Sequence, residues 1–559
     1  MHETDDYPYD LGRHSCPVTT SNEAAQRWFN RGLVWTYGFN HEEAVVCFRR
    51  ALDHDPDCAM AWWGIAYASG PNYNMPWELF DDRSRAEALA TAYDAAQEAL
   101  ARSDGLSEAE RQLIGALAAR YPQRDPIPDM TPWDHAFADA MRAACAACPD
   151  HRDLRSVYVE SLLDLTPWQM WDLKTGEPAR GAATMEAKRA LEDAFASDPD
   201  AMAHPGLLHL YIHLMEMSPT PEAALRQADV LRTLVPDAGH LVHMPTHIDV
   251  LCGDYHNVVL WNQKAVEADR KYYDREGAFN IYTGYRQHDY HFVLYGALFL
   301  GQLEPARAAL AGLRDTTPED MLRIKSPPMA DYFESFMAME PHLLVRFGLW
   351  EEAIALPLPE DQELYRTLTA NTHYVRALGH AATGNVPAAL EEERAFLDAC
   401  ERVPETRLMH NNRVVDLLAI AKEMLRGEIL YRTKDYEAAF THLRRSVALD
   451  DGLPYDEPWG WMQPARHALG ALLFEQGHVT EAEQVYREDL GLTGTLPRAC
   501  VHPRNVWSLK GLYDCLKKRG EAIEIKHIKQ QHDQALARAD RRVAASCFCA
   551  QAAMRAPSL

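Results

Sequence analysis

Histidines stand in this chain at spacings that suit metal ligation. His209 and His213 lie four apart in HPGLLHLYIHLMEMS, and His243 and His247 repeat that spacing in AGHLVHMPTHIDV. On a helix, residues four apart share a face, with β-carbons roughly 5–6 Å apart. The second pair follows the first by 34 residues (243 minus 209, 247 minus 213), one period of a common two-helix repeat. Stacked hairpins of that length place the pairs on neighbouring helices, about 8–10 Å apart. Four imidazoles on one surface predict a metal site at His209, His213, His243 and His247. His291, in GYRQHDYHF, is the fifth predicted ligand, from a third helix; His240, His288 and His41 are additional candidates. Seven of the chain's 25 histidines fall between His204 and His256, an enrichment that argues against chance.

Imidazole binds zinc, copper, iron and nickel. The His-x-x-x-His pattern with an intervening glutamate is absent, because His41-Glu42-Glu43 lacks its second histidine, so a zincin-type protease is not expected. Neither the four-carboxylate set of di-iron bundles nor a cysteine-bearing copper set is visible. A divalent transition metal is expected, with iron, copper, zinc and manganese open and a histidine-only dinuclear centre also open. Glu216, three residues after His213, is the catalytic candidate; ligand, general base, or acceptor orienting His213 are its three roles. Asp164 and Trp168, in ESLLDLTPWQMWD, are expected to wall a small-molecule pocket. Cys145 and Cys148 suit small buried helix positions, and Cys547 and Cys549 in the tail are soft donors that could fold back.

The elements that must position these residues are repeats. RWFNRGLVWTYGFNHEEAVVCFRRALDHDP puts Gly32, Ala44, Phe48, Ala51 and Pro56 on the small and large positions of the tetratricopeptide (TPR) repeat. A second match starts at Ile212 (Ala224, Ala228, Leu231, Pro236) and a third at Thr246 (Val258, Asn262, Ala265). Weaker ones follow at Gly296/Ala308, Gly427/Ala439 and Gly470/Ala482. From the TPR pattern, His209, His213, Glu216, His240, His243 and His247 all face the concave groove. Pro245 cannot donate a backbone hydrogen bond, so the helix there must start late, near Leu241, or kink. The predicted fold is all-α, a TPR-like α-solenoid of antiparallel helix pairs curled into a superhelix. Its expected organisation is an N-terminal arm (1–20), a continuous solenoid (21–535) and a C-terminal tail (536–559). The metal-site repeats lie at about 200–300 and C-terminal repeats at about 370–520.

Net charge of -26 disfavours nucleic acid, which needs a basic surface to displace counterions, and disfavours an anionic membrane. Apolar runs such as FVLYGALFLG are shorter than a membrane span. Eleven cysteines without framework spacing, and no signal-peptide pattern in MHETDDYPYDLGRHS, predict a cytoplasmic protein.

The stretches GFNHEEAVVCFRRAL, AMAWWGIAYASGPNYN, HPGLLHLYIHLMEMSP, AGHLVHMPTHI and EAEQVYREDL together resemble the StaR-like family of TPR proteins, over nearly the whole chain. The resemblance implies an all-α TPR-like solenoid and no particular activity. The expected function is a metal-dependent enzyme acting on a small molecule in the concave pocket, an oxidoreductase using iron or copper ahead of a hydrolase or lyase. The alternatives are a TPR scaffold gripping a peptide or protein partner, and a metal-binding protein without turnover.

Overall fold

In the computed structural model, which describes residues 7–550, the first hairpin is set by a glycine lying under an aromatic ring. Helix Glu23–Tyr37 starts at Asn22, whose side chain accepts from the amides of Ala24 and Ala25 at 2.9 and 3.2 Å. Asn40 begins the return helix, His41–His54, by accepting from the Glu43 amide at 3.2 Å. These caps satisfy amide groups that the first helical turn leaves without partners. A Cβ on Gly32 would sit 2.6 Å from the Phe48 ring, so the ring rests directly on the glycine backbone. The same device recurs at Gly427 under Leu443 (2.8 Å) and at Gly470 under Tyr486 (2.6 Å). Those are the small and large positions of the repeat, and the chain is all-α, built from TPR-like helix pairs. Among the described residues, the strands are a two-residue hairpin, Leu408–Met409 with Asn412–Arg413. No helix among them is long and apolar enough to cross a membrane.

The described chain packs as two compact units. One runs to Ile248 and includes Lys264–Arg286; the other takes Asp249–Gln263 and continues from Gln287. The first contains the hairpin of Glu23–Tyr37 and His41–His54, and the helix Pro205–Glu216. Every residue of Pro205–Glu216 is buried. A helix apolar on all sides belongs in a core, and here two histidines and a glutamate are buried with it. His204 starts this helix, its Nδ1 accepting from the Leu207 amide at 3.2 Å, with Pro205 pre-set for the first turn.

At Pro245 the helix breaks. Gly239–His243 forms one short helix and Pro245–Cys252 the next. Thr246 Oγ1 donates to the His243 carbonyl at 2.7 Å, satisfying a group near the break. The helix begins before Leu241, so the late start is ruled out in favour of an interruption at Met244, with Pro245 in the first turn of the second segment.

Gly206 is a close-approach position, because a Cβ there would lie 2.4 Å from Ser156 Oγ and 2.7 Å from the Tyr37 ring. Gly206→Ala is expected to destabilise the protein by about 1–3 kcal/mol through overpacking. Gly115→Ala, in helix Glu108–Arg120 with no neighbour within 4 Å of its added methyl, should be neutral or stabilising by up to about 1 kcal/mol. Urea denaturation of both variants checks this, and equal midpoints would contradict the packing described.

Candidate metal centre

Within the first unit, the helix Pro205–Glu216 and the two short helices flanking Met244 bring five imidazoles and one carboxylate together. His209, His213, His240, His243, His247 and Glu216 are each no more than 1% exposed. Ring centroids are 4.7 Å apart for His209–His213, 4.9 Å for His209–His240, 6.0 Å for His213–His247 and 4.7 Å for His243–His247. The ligating atoms of His209, His213 and His240 lie within 4.8 Å of one another, a spacing that could hold a metal ion, and those of His213, Glu216 and His247 are as close.

Hydrogen bonds fix which nitrogen each ring presents. His209 Nδ1 is 2.7 Å from the Tyr37 carbonyl oxygen. A carbonyl only accepts, so Nδ1 carries the proton and Nε2 keeps its lone pair. Glu216 Oε1 is 3.0 Å from His213 Nδ1, and Oε2 is 2.6 Å from His247 Nδ1. An ionised carboxylate also only accepts, so both rings are held as Nδ1–H tautomers. This carboxylate–imidazole arrangement orients metal-binding histidines and raises their basicity.

The outward nitrogens then face one another. His240 Nε2 is 3.2 Å from His209 Nε2, and His243 Nε2 is 2.7 Å from His247 Nε2. His209 and His247 keep their lone pairs at Nε2, so each facing ring either donates an Nε2–H or shares a cation in place of that proton. Ligands about 2.0–2.1 Å from a tetrahedral ion are about 3.3 Å apart, near the first separation. The second is shorter than that and suits a shared proton. His240 Nδ1 is buried and finds no hydrogen bond among the described residues. Burial, and after it the charges of His209 and His243, push the His240 ring well below its ordinary pKa, so it stays neutral. A neutral imidazole gives a carboxylate a hydrogen bond but no charge, and a buried carboxylate is costly without a compensating positive charge.

Aromatic rings cover the cluster. Phe39 stacks on His213 (5.9 Å) and His240 (5.5 Å) and leans on His209 (4.6 Å). It adopts φ +55°, a left-handed conformation that is unfavourable for a bulky residue and is kept where surrounding structure enforces it. Tyr73 lies 4.5 Å from His213 and 5.3 Å from Trp168, and its hydroxyl accepts from the Trp168 amide at 3.1 Å. Tyr285 packs on His240 at 4.6 Å.

The other sequence-predicted residues are placed as follows. His41 opens its helix edge-on to Phe39 at 6.2 Å, with Nδ1 3.4 Å from Asn72 Nδ2. Burial of its ring nitrogens, then the Arg120 charge, lowers its pKa to about 4. Asp164 pairs with the buried Arg120 at 3.1 Å. Burial and then the Glu160 charge push its pKa well up; Glu160 itself rises to about 7 through burial. Trp168 reaches the histidines through Tyr73. His288 and His291 belong to the second unit, where the His288 ring lies 4.6 Å from that of His410 and His291 packs on Phe336 at 5.7 Å. Cys547 and Cys549, in the same unit, are joined to each other as a disulfide and are not offered as soft ligands.

Phe39, Tyr73, Tyr285 and the Tyr37 carbonyl escape sequence reasoning. They carry no ligand chemistry, and GPNYN reads only as a turn, which Asn72 does form by accepting from the Asn74 amide at 2.9 Å.

No protein-family model matches the chain, and no curated protein matches it. Solved structures similar to it include the APC/C hetero-tetramer Cut9–Hcn1, at 12% identity over 89% of this chain and 78% of that one, TM-score 0.30. The human IFIT1 dimer with m7Gppp-AAAA is similar at 10% identity over 93% and 92%, TM-score 0.29. Naa15/Naa10 bound to HypK-THB is similar at 14% identity over 92% and 72%, TM-score 0.22. Likeness at this level carries no argument about ligand or partner.

Two predictions follow from the hydrogen-bond pattern. Glu216→Gln keeps the shape but presents an amide N–H₂ to one of the two rings, forcing that imidazole into the other tautomer. Metal affinity should fall about 10–100-fold with the helical circular dichroism unchanged; unchanged affinity would remove Glu216 from the site. The second concerns pH. Unfolded histidine takes up its proton near pH 6.5, whereas His41 does so near 4 and His240 only well below its ordinary value. The unfolded chain therefore binds more protons in this window, and metal-free protein should lose stability as pH falls below about 6.5. The slope is up to about 1.4 kcal/mol per pH unit for each such histidine. A flat denaturation midpoint from pH 6.5 to 5 would contradict buried, neutral rings.

Proposed function

We propose that this protein is a metal-dependent enzyme that acts on a small molecule, its metal held among the imidazoles of His209, His213, His240, His243 and His247. One observation carries this reading: His209, His213 and His247 are held as Nδ1–H tautomers by a backbone carbonyl and a shared carboxylate, which leaves the lone pair of each ring on Nε2 inside a buried cluster of five imidazoles. A divalent cation there balances the Glu216 charge and uses the inward lone pairs.

Glu216 is best described as a positioning residue, since both its oxygens are engaged by ring N–H groups. Such an ion supplies Lewis acidity, or electron transfer if it is iron or copper. The donors are imidazoles, which suit iron or copper as well as zinc, and oxidative chemistry is the reading we favour. Tyr73 and Trp168 form an aromatic wall against which a small substrate would lie, with Arg120, Asp164 and Glu160 as polar groups of the same unit. A cytoplasmic location fits the charge and cysteine pattern of the sequence.

A scaffold that grips peptides would need these side chains open in a groove. At 0–1% exposure they favour an enclosed centre, which makes the scaffold the weaker reading.

The test is elemental analysis of protein purified without affinity-tag metals, beside His213→Ala and His247→Ala. The parent should retain an iron- or copper-type metal near one equivalent at this site, and each variant should lose it while staying folded. A folded parent free of metal, and unable to take any up, would hand the function to the scaffold.

A further inference from the structure

The second unit holds another convergence of ligand-type groups, and the sequence reading saw only part of it. His288, on the helix Thr283–Leu300, meets His410 and Glu457, with the ligating atoms of all three within 4.8 Å of one another. The His288 and His410 rings are nearly parallel, 4.6 Å apart and 4° from coplanar. The three come from unrelated places: a helix, the tip of the small hairpin, and the loop after Asp450. No periodicity brings them together, so the fold itself must build the meeting point.

Asp456 does that building. His410 Nδ1 is 2.8 Å from Asp456 Oδ1, the Glu457 amide donates to the same oxygen at 3.0 Å, and Asn412 Nδ2 donates to Oδ2 at 2.6 Å. The carboxylate accepts from the Nδ1–H of His410, which puts the ring's lone pair on Nε2, the role Glu216 plays for His213 and His247. His410 sits at φ +52°, outside the comfortable region for a non-glycine residue. The pairing of Leu408 with Arg413 and of Met409 with Asn412 holds it there. Strain of this kind, enforced by surrounding structure, gathers at functional positions.

A second, independent observation points to a ligand. His291, one turn from His288, is 1% exposed, and neither of its ring nitrogens has a hydrogen bond among the described residues. A buried imidazole without partners carries an uncompensated desolvation cost, which coordination would remove.

Other histidine–carboxylate clusters differ in this respect. In the first unit, His14 and His204 both reach Asp153, at 2.8 and 3.2 Å. There the His204 Nδ1 already accepts from the Leu207 amide, so its Nε2 carries the proton and faces Asp153 as a donor. Asp489 is surrounded similarly, by His467, His502, Asn505 and Ser508. Those are hydrogen-bond hubs.

We propose that His288, His410 and Glu457 form a second site for a divalent transition metal, with His291 as a further donor. Two imidazoles and one carboxylate with positions left open is the donor set of non-haem Fe²⁺ sites. The donors named here are all residues of the second unit.

Equilibrium dialysis of the full-length, metal-stripped protein against Co²⁺ tests it, with cobalt's visible absorption reporting the ligand field. The parent should bind one equivalent more than His410→Ala, while His213→Ala keeps the equivalent that His410→Ala loses. Asp456→Asn should weaken that equivalent about 10–100-fold and leave the other untouched. If His410→Ala does not fold, Glu457→Gln decides: loss of one equivalent supports the site, and full retention overturns it. Co²⁺ lost in His213→Ala but undiminished in His410→Ala and Glu457→Gln would sink this site and leave the first standing. The reverse pattern would sink the first and leave this one.

Discussion

A single buried carboxylate organises the candidate centre of the first unit. Glu216 spends one oxygen on His213 and the other on His247. Those two residues come from different hairpins, so the carboxylate also ties the end of the Pro205–Glu216 helix to His247. Its full burial makes the choice stark. Uncompensated, such a charge costs several kcal/mol even after relaxation; with a cation among the imidazoles it becomes part of a neutralised cluster. The Nδ1–H tautomers of His213 and His247 follow from that constraint.

The repeat architecture explains how such a cluster can be positioned at all. Gly32 under Phe48 and Gly470 under Tyr486 are close helix–helix approaches that allow hairpins to stack at a fixed period. A fixed period places equivalent positions of successive hairpins beside each other, and two His-x-x-x-His pairs 34 residues apart exploit it. Pro245 then modifies the plan. By interrupting the helix at Met244 it separates the segments bearing His243 and His247, yet their Nε2 atoms come to 2.7 Å. Phe39 closes over three of the rings from the first hairpin, at the expense of a left-handed backbone.

Much of this was legible in the sequence because it depends on period. The all-α fold and the grouping of His209, His213, His240, His243, His247 and Glu216 arise from i,i+3 and i,i+4 spacing combined with a 34-residue repeat. What stayed hidden has no period. Phe39 and Tyr73 act through turn geometry, and the Tyr37 carbonyl is a backbone group that every residue possesses. His410 and Glu457 lie 47 residues apart on a hairpin tip and a loop, so only the folded chain brings them to His288. The role of Glu216 was underdetermined for a related reason: spacing places it near His213 but does not say that His247 claims its other oxygen.

The central claim is that buried imidazoles of the first unit coordinate a metal through Nε2. X-ray absorption at the metal edge, on metal-loaded His410→Ala protein that retains only the first unit's site, tests this most directly. The account predicts at least three nitrogen scatterers near about 2.0–2.1 Å with the outer-shell pattern of imidazole. A first shell of oxygen alone, without imidazole scattering, would contradict it.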